Sequence, residues 1–233
     1  MKIFIDAGHN FSGADTGAQG NGLREQEVTF GIADALRKLL VAAGHEVRMS
    51  RNRVTDNVGN SLSSSIGGRA EGANRFGAEV FVSIHCNAGG GTGCETLIYA
   101  RGGRAEALAT AVQRALVSRL GLRDRGVKVR PKLGVLRLTK MPALLVETAF
   151  IDNPQDAALL QNEQQTFAEA IFAGLTGTAA PAGELTEVND LVWELAERGI
   201  ITDKELWLAK LAEDKNSYYL AQKTVKFLQA QGV

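Results

Sequence analysis

From residue 1 to about residue 175 the chain alternates short β-branched or apolar runs with stretches of helical periodicity. That alternation confines it to the α/β class, a mostly parallel twisted sheet with helices on both faces. Strands are predicted over 2–6, 46–50, 80–85, 95–99 and 143–147. Helical stripes fall between them. Val28, Ile32, Leu36, Leu39 and Ala43 recur at three- and four-residue steps and Gly44 follows as a stop signal. Leu108, Val112, Ala115 and Leu116 repeat the spacing within 104–120, as do Phe167, Ile171 and Leu175 later.

The pattern breaks after residue 176. A small, uncharged run over 177–183 reads as a linker. Over 184–233 the strand signals stop, and three helical stripes predict a small all-α C-terminal domain. That stretch carries six basic and nine acidic residues, a net charge of −3, which leaves +3 on residues 1–183. A unit so small has a marginal core, so the expectation is that it self-associates, packs on the first domain or targets a surface.

Length and charge narrow the function classes. A chain of 233 residues accommodates one full-sized domain and a small appendage, not two large domains. Twenty-six basic residues balance 26 acidic ones, so there is no basic stripe of the kind nucleic-acid binding needs. No apolar run has membrane-spanning length, and membrane insertion is not expected. The first residues lack the basic, apolar and small-residue regions of a signal peptide, so cytoplasmic synthesis without export is expected. Cys86 and Cys94 do not make a disulfide framework and read as reduced thiols.

Two of the three histidines, His9 and His85, directly follow or end predicted strands, and open α/β sheets place ligand sites beyond the carboxyl ends of their strands. If those strands are near neighbours, the imidazoles converge. His45, between a helix stop and a strand start, reads as a turn residue. A catalytic zinc site takes three protein ligands and leaves a fourth position to water. Glu25, at the start of the first helix after the loop 13–22, is the best third ligand, although Glu27 competes and either acid would complement a helix N-terminus. Glu147 ends the most apolar strand, where a carboxylate is either paired or poised as an acid or base. Zinc-protease, nucleophile-elbow, phosphate-loop and dinucleotide motifs are all missing. Cys86 and His85 are strand neighbours pointing to opposite faces, which argues against a thiol nucleophile and base.

Taken together, these residues resemble the type-3 N-acetylmuramoyl-L-alanine amidases, zinc enzymes that cut peptidoglycan between sugar and stem peptide. The resemblance spans residues 1–176. It is carried by Asp6-Ala-Gly-His9, Gly13, Gly17-Ala-Gln-Gly20, Gly22-Leu-Arg-Glu25, Arg69 with Ala73-Asn74, Ser83-Ile-His-Cys-Asn-Ala88, and Pro142-Ala-Leu-Leu-Val-Glu147 followed by Phe150-Ile-Asp-Asn153. It implies that His9, Glu25 and His85 bind one zinc ion and that Glu147 is the catalytic glutamate, and it selects Glu25 over Glu27. Asp6, Asn10 and Asn87 are then expected either to orient the imidazoles or to serve as turn residues.

The reaction so implied is hydrolysis of the amide between N-acetylmuramic acid and L-alanine. Only residues 100–103 separate the strand at 95–99 from the next helix, where some periplasmic members carry an inhibitory helix. An open cleft is therefore expected, as is likeness to a phage or prophage endolysin acting on the wall after release. Peptidoglycan is the expected partner, with wall targeting or self-association left to the C-terminal unit. Two other readings are a zinc hydrolase cutting within the stem peptide and a wall-binding module on an inactive amidase fold.

Overall fold

A computed structural model describes residues 1–180 and two isolated helical positions, Leu195 and Trp207. The expected three-helix unit at 184–233 otherwise lies outside the described residues, as does the end of the expected linker. Among the described residues there are eight strands: β1 (Lys2–Ala7), β2 (Gln19–Gly20), β3 (Leu23–Arg24), β4 (Glu46–Met49), β5 (Val80–Asn87), β6 (Cys94–Ile98), β7 (Asp124–Val129) and β8 (Ala143–Phe150). The helices are α1 (Glu25–Ala42), α2 (Leu62–Phe76), α3 (Gly103–Leu120), α4 (Gly134–Leu138), α5 (Pro154–Asn162) and α6 (Gln164–Thr176).

Six strands form one sheet in the order β4-β1-β5-β8-β6-β7. The first four are mutually parallel, whereas β6 pairs antiparallel with β8 and β7 follows β6 in parallel. The expected mostly parallel sheet is present, with its last two strands reversed. Apolar residues of α1, α3 and α6 pack on one face with Ile3, Ile5, Val82, Ile84 and Val146. Ala73 and Phe76 of α2 and Val135 and Leu136 of α4 cover the other with Phe4, Phe81 and Leu145. Burial on both faces explains the near-continuous apolar runs of β5 and β8.

Three elements have weak sequence signals. Helix α2 carries serines and glycines in place of an apolar stripe, and is bounded by a reciprocal Ser61–Ser64 capping box and by Gly77 in the left-handed region, φ 68°. Strand β7 is a charged, half-buried edge strand, and such edges resist pairing with other chains. The β2–β3 hairpin turns on Asn21 and Gly22, both at positive φ (50° and 78°), as a two-residue turn matched to strand twist requires. His45, expected in a turn, directly follows the turn at Ala43 and Gly44, with its Nδ1 3.2 Å from the Met1 amino group. Cys86 and Cys94 are both buried and free, and burial pushes both thiols up, Cys94 to about 12.

Helices α3 and α6 meet at Gly174, where an added Cβ would lie 2.4 Å from Val112 Cα and 2.5 Å from its nitrogen. Neither backbone atom can yield without moving a helix. Gly174→Ala should therefore lose roughly 1–3 kcal/mol of stability by overpacking, despite its better helix propensity. Urea denaturation checks this, and a variant at least as stable as its parent would contradict the packing described.

Candidate metal centre

The pairing register sets the site. Asp6 on β1 lies opposite Ser83 on β5, His85 on β5 lies opposite Glu147 on β8, and Glu147 lies opposite Glu95 on β6. Opposed residues share a face, so these side chains form a polar field beyond the apolar residues under α2 and α4. His9 arrives from the turn after β1. Its backbone is left-handed at φ 67°, a conformation that histidine adopts more readily than most residues and that costs of order 1–3 kcal/mol. The carbonyl of Gly8 holds that turn by accepting from Thr29 Oγ1 at 2.9 Å and from the buried Arg51 Nη2 at 3.3 Å.

Glu25 arrives from the β2–β3 hairpin as the first residue of α1. Its Oε1 lies 3.1 Å from His9 Nε2 and 3.1 Å from His85 Nδ1. The same oxygen accepts from the Cys86 N–H at 2.9 Å, while Oε2 accepts from the Ala18 N–H at 2.8 Å. Ligand atoms of all three residues fall within 4.8 Å of one another. Glu27 is elsewhere, paired with Arg24 at 2.8 Å. The approach is close enough to need glycines. A Cβ on Gly8 would sit 2.6 Å from the His85 ring, and one on Gly17 would sit 2.6 Å from Glu25 Cβ and 2.9 Å from His9 Cδ2. Two imidazoles and one carboxylate converging at this spacing make a donor set that suits zinc with an open fourth position.

The residues expected to orient the imidazoles bond elsewhere. Asp6 Oδ2 accepts from Ser83 Oγ at 2.7 Å and from Arg69 Nη1 at 3.3 Å. Asn10 accepts from the Val58 N–H and donates to the Ala14 carbonyl, and Asn87 accepts from the Ala88 N–H. The partner of His9 is Asp15, whose Oδ1 lies 3.0 Å from Nδ1. Asp15 Oδ2 in turn accepts from Ser65 Oγ at 2.6 Å and Arg69 Nη2 at 2.8 Å. Sequence spacing does not reveal Asp15, because it sits inside a glycine-rich loop and acts by folding back on a residue six positions earlier. Burial alone would lower the His9 pKa, but Asp15 and Glu25 outweigh it and raise the imidazole to about 9. The two imidazoles hold Glu25 far below the carboxylate range despite its burial.

The profile of the N-acetylmuramoyl-L-alanine amidases matches residues 3–177. The chain belongs to that family. It is 39% identical over 188 residues to the N-acetylmuramoyl-L-alanine amidase CwlM of Bacillus licheniformis, a match covering 80% of this chain and 70% of that protein. It is 36% identical over 169 residues to an endolysin of Bacillus phage SPP1, covering 69% of this chain and 59% of the endolysin. Among solved structures, an N-acetylmuramoyl-L-alanine amidase from Clostridium difficile superposes with a TM-score of 0.66 at 34% identity, covering 76% of this chain and 95% of that one. Amidases of this family hydrolyse cell-wall peptidoglycan, and such an enzyme needs a proton acceptor beside its reacting amide.

Glu147 has the electrostatics of such an acceptor. Its Oε2 is buried with no hydrogen-bond partner among the described residues. Burial raises its pKa to about 7; the charges of Glu25 and Glu95 add to the rise and the two imidazoles oppose it. A carboxyl that titrates at about 4.5 unfolded and about 7 folded binds its proton more tightly in the folded state. Stability therefore falls as pH rises between those values, and the full cost, roughly 3 kcal/mol, is present above the folded value. Glu147→Gln should recover that amount in metal-free protein at pH 8 and recover nothing at pH 4. Denaturant titrations at both pH values test this, with equal stabilisation at the two as the contrary result.

Proposed function

We propose that His9, Glu25 and His85 hold one zinc ion, and that Glu147 is the acid–base residue for hydrolysis of the amide joining N-acetylmuramic acid to L-alanine. The observation that carries the reading is a carboxylate oxygen 3.1 Å from both imidazole nitrogens, with Glu147 beside His85 on the neighbouring strand. When bound, zinc lowers the pKa of water and polarises the lactyl carbonyl. Glu147 accepts the proton of the attacking water and returns it to the departing alanine nitrogen, a task suited to a carboxyl that titrates near neutrality. Asp15, braced by Arg69 and Ser65, holds the His9 ring in the tautomer that presents Nε2 to the metal.

Replacing His9, Glu25 or His85 with Ala should abolish both metal content and activity. Glu147→Gln should keep one zinc per chain and lose at least the roughly 10²–10⁴-fold usual for general acid–base catalysis. Asp15→Ala should weaken zinc binding about 10–100-fold. Metal analysis and turnover on soluble muropeptides measure all three, and full activity after exhaustive chelation would overturn the reading. Mass spectrometry of digested peptidoglycan separates an amidase, which leaves an intact stem with a free alanine amine, from a hydrolase that cuts within the stem.

The zinc centre draws only on residues before 150, and we assign residues 184–233 to wall targeting or self-association. A chain ending at Thr178 should keep its zinc and hydrolyse soluble muropeptides at close to the parent rate. Light scattering and lysis of intact walls then distinguish the two roles of the missing part. An insoluble or zinc-free truncation would show that the domain boundary is misplaced.

A further inference from the structure

Beyond Glu147 the same face of the sheet carries charges that hydrolysis does not use. Glu95, opposite Glu147 on β6, is almost buried, and both Arg125 and Lys128 of β7 converge on its Oε2, Arg125 Nε at 2.8 Å. One carboxylate thus faces two cations, leaving one positive charge over. The Arg125 and Lys128 side chains keep 27% and 31% of their surface open, against 8% for Glu95. Among the described residues Arg125 is bonded only through Nε, so both terminal nitrogens of its guanidinium stay available. The group lies over the Phe150 ring, 4.8 Å from its centroid, which holds the plane of that fork. The register shifts here, with Arg125 and Gly126 of β7 set against Glu95 alone of β6 and Gly126 left-handed at φ 76°. Such a bulge re-aims side chains.

From the position of this pair we infer that Arg125 and Lys128 form a subsite for a carboxylate on the second or third residue of the stem peptide. The inference rests on the amidase reading above. His85, Glu147, Glu95 and the Arg125–Lys128 pair lie in a row across β5, β8, β6 and β7. Glu147 hands its proton to the leaving nitrogen, so the acyl side of the substrate lies toward His85 and the peptide runs toward β7. Two strand spacings, about 10 Å, separate β8 from β7. An extended peptide advances about 3.3–3.6 Å per residue, so its second and third residues reach the cations. Glu95 keeps the pair assembled without neutralising it.

The test uses zinc-loaded full chain and N-acetylmuramoyl tripeptides with free carboxylates at the second residue, at the third, or replaced at both by carboxamides. The parent should favour one acid form over the carboxamide form about 10–100-fold, chiefly through KM, as a charge-assisted hydrogen bond implies. Arg125→Gln with Lys128→Gln should bring that ratio close to 1, and Arg125→Lys with Lys128→Arg should retain most of it. Calorimetric titration with the released tripeptides should show the same acid preference in Kd. A parent ratio near 1, an unchanged ratio in the Gln pair, or equal losses on acid and carboxamide forms would overturn the inference. So would weaker adsorption to whole walls with the acid preference intact, which would assign the cations to an anionic wall polymer. Acid-selective peptide binding without hydrolysis would instead uphold the subsite and sink the amidase reading.

Discussion

The Glu25 carboxylate is the charge around which the first 150 residues are arranged. A buried anion is costly unless its oxygens are satisfied, and here they are met by the Ala18 and Cys86 N–H groups and by two imidazoles. These four partners come from three separate places in the chain. The Asn21-Gly22 turn folds back the strand that precedes Glu25, β5 supplies Cys86 and His85, and the turn after β1 supplies His9. Gly8 and Gly17 leave the space that any side chain would fill. Remove the carboxylate and two imidazoles, one raised toward pKa 9, lose the anion that brings them together.

Around this centre runs a second layer of buried charge. Arg69 joins Asp6 to Asp15, tying β1 to the loop that supports His9, and Arg51 fastens the carbonyls of Gly8 and Gln26. Arginine suits such positions because its planar fork can bond several acceptors at once without losing its charge. These contacts hold a left-handed His9 that would otherwise relax. Glu147 follows the opposite logic: its Oε2 is buried beside two further carboxylates and has no partner among the described residues, so it holds a proton near neutrality. A local stability cost of this kind is typical where a group must exchange protons.

The family resemblance was legible because its residues cluster at strand ends and tight turns, where few side chains satisfy the local geometry. Several of those residues serve the scaffold. Asn153 caps α5, Asp152 accepts from the Gly89 and Gly90 N–H groups, and Asn74 bonds the Leu138 carbonyl and the Lys140 N–H. Less visible were α2, whose serines and glycines hide its helical character, and β7, whose charges belong to an edge. Asp15 is hidden in the sequence for the same reason that Asp6, Asn10 and Asn87 stand out in it: proximity in sequence to a histidine says little about which atoms a folded loop brings together.

Periodicity alone determined the class of the fold, since a two-residue repeat and a 3.6-residue repeat each leave one buried face and few ways to join them. It also placed His9 just after β1 and set His85 and Glu147 late in β5 and β8, although those strands run on past the expected ends at 85 and 147 to Asn87 and Phe150. Only the tertiary structure decided that β6 and β7 run against the other strands and that Glu95 stands beside Glu147 with two cations behind it. Strand order and register are long-range choices, made by burying both faces of the sheet at once. No window of sequence contains both partners of those contacts.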